Sequence, residues 1–186
     1  SSTVPVVVMG GGYDSCEDTD NKDPSCGSTK GNVVYFINGD TGALITSFTT
    51  ERSVTADVNM IDVNNDGLVD YAYVADTGGK IYRIDFVASP TTPTALPYPT
   101  SINNTSDATH WFIHKVAETN LSGQGRKFLF GPGLFPSGRW NYMAIVSGYR
   151  EHPLISNYPY GTLPFPNKAY VYKDDLTSTT TTAAVN

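Results

Sequence analysis

Asp62-Val63-Asn64-Asn65-Asp66-Gly67-Leu68-Val69-Asp70 places oxygen-bearing side chains at the first, third, fifth and ninth positions of one short segment, with Gly at the sixth. That donor set suits a hard cation. Calcium takes six to eight oxygen ligands at about 2.3–2.6 Å. The spacing nominates Asp62, Asn64, Asp66, the main-chain carbonyl of Leu68, and Asp70 as ligands of Ca2+. Gly67 permits the sharp bend, because glycine takes positive φ cheaply. The side chains of Leu68 and Val69 are expected to point into the core. A helical calcium loop closes with Glu at its twelfth position, and Tyr73 stands there instead. Asp70 therefore serves as the closing ligand, and the exit through Tyr71–Val74 reads as a strand. The expectation is a strand–loop–strand calcium site with a dissociation constant of about 10⁻⁶–10⁻⁴ M. The alternative is an Asp/Asn-rich hairpin turn, in which three crowded carboxylates would repel one another without a cation.

Other candidate chemistry is thinner. Asp14, Glu17, Asp18, Asp20 and Asp23 form a second acidic segment. Its spacing fits no calcium loop, so it reads as a solvated acidic loop, with a second cation site as the lesser alternative. Cys16 and Cys26 lie ten apart in the polar segment 13–30. A disulfide between them and an oxidising compartment are expected. Two cysteines alone cannot make a four-ligand zinc site. His110 and His114 are four apart and would share one face of a strand. No acidic or Cys partner is close to them in sequence, and a structural role is expected for both. His152 stands by itself. Neither G-x-S-x-G nor G-x-x-x-x-G-K occurs, which removes the common hydrolase and nucleotide signatures. No catalytic residue is nominated, and the chain is read as not an enzyme.

Charge narrows the partners. The 186 residues carry 12 basic and 18 acidic side chains, a net charge of −6. Residues 1–85 hold 13 acids against 5 bases, and residues 86–186 hold 5 against 7. Such a surface is a poor match for nucleic acid, whose binding rests on clustered Lys and Arg. No run of about 18 apolar residues exists to span a membrane. No basic stretch followed by an apolar one opens the chain as a leader would.

The elements that must position these residues are strands. Apolar runs are short or alternating and are cut by turn residues, without a sustained helical period. Strands are expected at Val4–Met9, Asn32–Asn38, Ala43–Thr50, Tyr71–Ala75, Lys80–Val87, Trp111–Val116, Arg126–Phe130, Tyr142–Ser147 and Ala169–Lys173, with a weakly alternating Val54–Ile61. Long loops fall at 13–30, 89–107 and 148–168, and 177–186 is a Thr-rich loop or linker. Gly31–Asn38, Gly79–Asp85 and Asn167–Asp174 repeat one turn–strand–stop unit, as propeller blades do. The fold class expected is all-β, with antiparallel blades of an incomplete β-propeller of quinoprotein type. Two to three blades are too few to close a ring, so residues 1–186 read as part of a larger propeller domain. An unrelated small β-sandwich is the alternative.

Four segments together resemble the C-terminal propeller of the PilY/PilC family of type IV pilus tip-associated adhesin and biogenesis proteins. They are Pro5–Asp14 with its Gly-Gly-Tyr-Asp and following cysteine loop, Gly31–Gly42, Asp62–Asp85, and Gly148–Pro153 with Arg150-Glu151-His152-Pro153. Order and spacing agree over roughly residues 4–175. Asn38, Tyr71, Val146 and Tyr149 depart from the family pattern, while all five calcium positions are intact. The resemblance implies a bacterial protein of the cell surface or pilus tip, extracellular or periplasmic. Pilins or minor pilins would be its partners, with a host or surface receptor besides. It also implies that calcium in the 62–70 loop is linked to pilus extension and retraction. Two rivals remain. A quinoprotein dehydrogenase would need Trp-rich blade docking, and only Trp111 and Trp140 occur. An integrin-like surface propeller would carry several calcium loops, and one is seen.

Overall fold

Antiparallel strands account for nearly all the regular structure of this computed structural model, which describes residues 4–17, 30–86, 108–119, 126–148 and 167–178. The strands are β1 (Val6–Gly10), β2 (Val33–Asn38), β3 (Leu44–Thr49), β4 (Asn59–Ile61), β5 (Tyr71–Ala75), β6 (Lys80–Asp85), β7 (Phe112–Glu118), β8 (Gly133–Ser137), β9 (Trp140–Val146) and β10 (Ala169–Asp175). They form three sheets in chain order. Sheet I runs β1-β2-β3, sheet II runs β4-β5-β6-β7, and sheet III runs β10-β9-β8. Each sheet is a blade-like meander, and the described residues do not close a ring.

Local chemistry explains the turns. Asn38 Oδ1 accepts the N–H groups of Asp40 (2.9 Å) and Thr41 (3.0 Å), an Asx turn that reverses β2 into β3. Between β5 and β6, Asp76 Oδ1 accepts the N–H groups of Gly78 (2.9 Å) and Lys80 (3.0 Å). The base of the 13–30 loop is held by glycines. Gly12 N–H donates to Val54 O, and Val54 N–H donates to Gly31 O, both at 2.9 Å. Gly31 has φ +71°, and a Cβ there would collide with the carbonyl of Gly12.

Two apolar layers join the sheets. Val34, Phe36, Ala72, Val74, Tyr82, Ile84 and Phe86 pack between sheets I and II. Tyr71, Tyr73, Ala75, Ile81, Met143, Ile145 and Tyr172 pack between sheets II and III. Sheet II is thus covered on both faces, so every residue of β5 is buried and its sequence shows no alternation. The outer faces of the stack are open. Val7, Met9 and Leu44 on sheet I are 51%, 48% and 60% exposed, and Phe135, Val146 and Val171 on sheet III are 68%, 55% and 52% exposed.

Several expectations are corrected. Arg126–Phe130 is not a strand, although Arg126, Lys127 and Phe128 are buried where they cross from sheet II to sheet III. The strand there is β8, hidden in sequence because Gly133 and Pro136 read as turn residues. β8 is an edge strand, where proline is tolerated. Only Asn59–Ile61 of Val54–Ile61 pairs as a strand. Asp14 is 3% exposed, so it is no part of a solvated acidic loop. Its Oδ1 accepts the N–H of Cys16 at 3.1 Å. Asp18, Asp20, Asp23, Cys26, His152, all of the 89–107 loop and most of the 148–168 loop lie outside the described residues.

Candidate metal centre and the polar clusters between sheets

The 62–70 segment joins β4 to β5, the first two strands of sheet II. β4 in turn lies against sheet III, where Asn59 Nδ2 donates to Pro132 O at 2.7 Å. Both ends of the loop are therefore anchored in paired strands. Asp70 is fully buried at the head of β5, and its Oδ2 accepts the N–H of Val63 at 2.7 Å.

Between those anchors the loop curls on its own side chains. Asp62 Oδ1 accepts the N–H of Asn65 (2.7 Å), and Asp62 Oδ2 accepts that of Gly67 (2.8 Å). Asn64 Oδ1 accepts the N–H of Asp66 (2.9 Å), and Asp66 Oδ1 accepts that of Leu68 (2.8 Å). Asn64 Nδ2 donates to Asp66 Oδ2 at 3.0 Å. Gly67 takes φ +87° and Asn65 φ +61°, left-handed conformations that glycine and asparagine accept most readily. One expectation fails. Leu68 and Val69 are 51% and 37% exposed, so their side chains do not enter the core. The inward residue of the loop is Val63, which packs against the layer between sheets II and III.

The donor set is entirely oxygen and suits a hard cation. A carboxylate oxygen already accepting an N–H keeps a second lone pair for a metal. Yet among the described residues no three His, Cys, Asp or Glu side chains are gathered as a metal cluster. The three loop carboxylates are each directed by their own N–H donors. A cavity of about 210 Å³ lies elsewhere, between β1 and Val54–Val58, and Asp57 is the titratable residue in its wall.

Two buried polar clusters escaped the sequence reading. Asp76, at the sheet I–II junction, accepts from four donors. Beside Gly78 and Lys80, its Oδ2 takes the N–H of Arg52 (3.2 Å) and the hydroxyl of Tyr82 (3.1 Å). Burial outweighs these donors and pushes its carboxyl up to about 6. The second cluster joins sheets II and III. Arg83 Nε and Nη2 donate to Asp85 Oδ1 (2.6 Å) and Oδ2 (3.3 Å). Its Nη1 donates to Asp174 Oδ2 at 2.9 Å, which also accepts the hydroxyl of Tyr73 at 2.8 Å. Arg83 further reaches the carbonyls of Asp175 (3.2 Å) and Ser178 (2.9 Å). Burial raises the Asp174 carboxyl against the opposing pull of Arg83 and Tyr73. His114 Nε2 stands 3.1 Å from Asp85 Oδ2, so its acidic partner comes from the neighbouring strand. His110 lies in a separate 3-10 turn, Ala108–His110, and does not share a strand with it. The sequence signal was an Arg and an Asp two apart on one face of an otherwise apolar strand.

No family model matches the chain, and no curated protein does. Among solved structures it resembles the C-terminal domain of PilY1 from Pseudomonas aeruginosa, with a TM-score of 0.55 and 16% identity. The likeness is one of fold. It covers 81% of this chain and 34% of that one, so the chain spans about a third of the PilY1 domain. That domain is a β-propeller, and the three sheets found here fit its blades.

Proposed function

We propose that the chain is a calcium-binding, non-enzymatic part of a larger propeller in a type IV pilus-associated protein. Its role would be adhesion and calcium-dependent control of pilus extension and retraction. The observation that carries this reading is the all-oxygen 62–70 loop, with all five positions filled and both ends anchored in strands. The likeness to the PilY1 domain supports the pilus setting, and the open outer faces of sheets I and III support a place among further blades. Asp62, Asn64, Asp66, Asp70 and the carbonyl of Leu68 would hold the cation. Bound calcium would supply positive charge that offsets the repulsion of three carboxylates, biasing the loop towards one conformation. Pilins or minor pilins are the proposed partners, with a surface receptor besides, at the cell surface or pilus tip. A Cys16–Cys26 disulfide belongs to the same extracellular or periplasmic reading.

Calorimetric titration of calcium into the chain and into Asp62→Asn, Asp66→Asn and Asp70→Ala variants tests the site. Binding with a dissociation constant of about 10⁻⁶–10⁻⁴ M, weakened in each variant, is the expected result. Equal affinity in all four proteins overturns the assignment. Asp62→Asn keeps one of the two acceptor oxygens at a half-buried position of the loop, so it still reads the site where Asp70→Ala does not fold. Capture of purified minor pilins with and without calcium then tests the pilus role.

A further inference from the structure

A strand at the edge of a sheet presents unpaired N–H and C=O groups, and folds guard such edges with charge, proline, bulges or shortness. Most edges in this chain are guarded. β4 has three residues, β7 carries His114 and Lys115, β8 carries Pro136 and β10 carries Lys173. β3 is set off by a register shift in its pairing with β2. β1 reads Val-Val-Val-Met-Gly, with neither charge nor proline, and among the described residues no strand lies on its far side. Pro5 O accepts the N–H of Gly39, and Gly11 N–H donates to Val33 O, so the odd-numbered residues turn their main chain towards β2. Backbone groups alternate along a strand, which turns those of Val6 and Val8 outward.

Sheet II shows what belongs on such an edge. β2 and β6 carry the same repeated unit, which stops at Asn38 in one and Asp85 in the other. Val6 pairs with Asn38 and Tyr71 with Asp85, so β1 stands in sheet I where β5 stands in sheet II. β5 has β4 on its far side, with Asn59, Met60 and Ile61 opposite Tyr73, Ala72 and Tyr71. Sheet III likewise carries β8 beside β9. Sheet I alone lacks this strand among the described residues, and a space is left where it would lie. The cavity of about 210 Å³ runs between residues 8–10 of β1 and residues 54–58, the chain that enters β4. Thr55 Oγ1, in its wall, is buried with no hydrogen-bond partner. The chain entering sheet III packs against β4 in the corresponding way, through Asn59 Nδ2 and Pro132 O.

We propose that the free edge of β1 docks one extended strand from the remainder of the propeller, antiparallel to β1 and opposite Val6, Val7 and Val8. The inference rests on the reading of the chain as part of a larger propeller. The guest strand takes up the outward N–H and C=O groups of Val6 and Val8. It carries a polar residue opposite Val8, as Asn59 stands opposite Tyr73, and an apolar one opposite Val6, as Ile61 stands opposite Tyr71. Its leading residues enter the space beside residues 54–58.

The test fuses a copy of residues 57–63 to the start of the chain through a Gly/Ser linker of about ten residues, which holds it near β1 at an effective concentration of about 1 mM. Amide exchange is followed by NMR at a concentration where the chain sediments as a monomer. The expected result is slowing of the Val6 and Val8 N–H groups by about tenfold or more, with much less change at Val7 and Met9, which already face β2. A control tether of the same length, made only of Gly and Ser, should leave all four rates as in the unextended chain. Val8→Pro removes one outward donor from an edge strand that keeps its ladder with β2, and should return Val6 towards its unextended rate. No slowing in the fused chain overturns the proposal, as does equal slowing with the control tether. Slowing of Val6 and Val8 in the unextended chain as its concentration rises assigns the edge to a second copy and overturns it too. Calcium is left out of every sample, so failure of the 62–70 site does not touch this result, and failure here leaves the calcium titration standing.

Discussion

At the scale of single residues, burial decides which polar groups matter. Asp76 is fully enclosed, and its carboxyl sits at about 6 rather than the ordinary 3.8. A carboxyl raised by folding binds its proton more tightly in the native state. Its contribution to stability is complete below about pH 4 and is lost as pH rises through 6. Urea unfolding at pH 4 and pH 7 should therefore show the chain gaining on Asp76→Asn by about 3 kcal/mol at the acidic end. Arg83 is a harsher case. Arg83→Met strands two buried carboxylates and should cost about 3–5 kcal/mol in denaturant unfolding. The proposed calcium ligands were legible as a string because their spacing is local. The clusters around Asp76 and Arg83 were not, because each is completed by a partner from another sheet or its approach, 24 and 91 positions away. No spacing rule reaches that far.

At the scale of elements, position in the stack outweighs residue type. Phe36 meets Phe48, Phe86 and Trp111 edge to face, with ring centroids 5.3–5.8 Å apart. Phe36→Ala should cost about 3–5 kcal/mol. Phe135 lies on the outer face of β8, and Phe135→Ala should stay within about 0.5 kcal/mol. Thermal melts of the two variants read the contrast directly. Within the 62–70 loop, Gly67→Ala meets open space but must hold φ +87°, so a loss of about 1 kcal/mol is expected from the backbone alone. β5 and β6 were readable as apolar runs between turn residues. β8 was not, because an edge strand needs neither a good strand former at every position nor a donor at every residue.

At the scale of the molecule, one sheet is finished and two are half-dressed. Sheet II has an apolar layer on each side, whereas sheets I and III each present valines and aromatic or aliphatic side chains to solvent. Open apolar faces of this kind bind other apolar surfaces. Sedimentation of the isolated chain should show concentration-dependent self-association, relieved in a Val7→Lys/Val171→Lys double variant whose melting temperature stays within about 2 °C of the original. Fold class was visible in sequence through the repeated turn–strand unit, which left the number of blades at two to three where the structure has three sheets among the described residues. Which faces stay open was not, because an exposed valine and a buried one are the same letter.

The glycine contacts at the base of the 13–30 loop have a consequence for that loop's modularity. Gly31 lies so close to the Gly12 carbonyl that it has no room for a side chain, and Val54 ties both glycines to the chain entering sheet II. The stem is thus closed by main-chain hydrogen bonds. Reduction of the proposed Cys16–Cys26 disulfide would leave those main-chain bonds in place. An exchange of the sequence beyond the stem has to keep Tyr13 and Asp14, because Asp14 is buried and the Lys127 ammonium lies 5.9 Å from the Tyr13 ring.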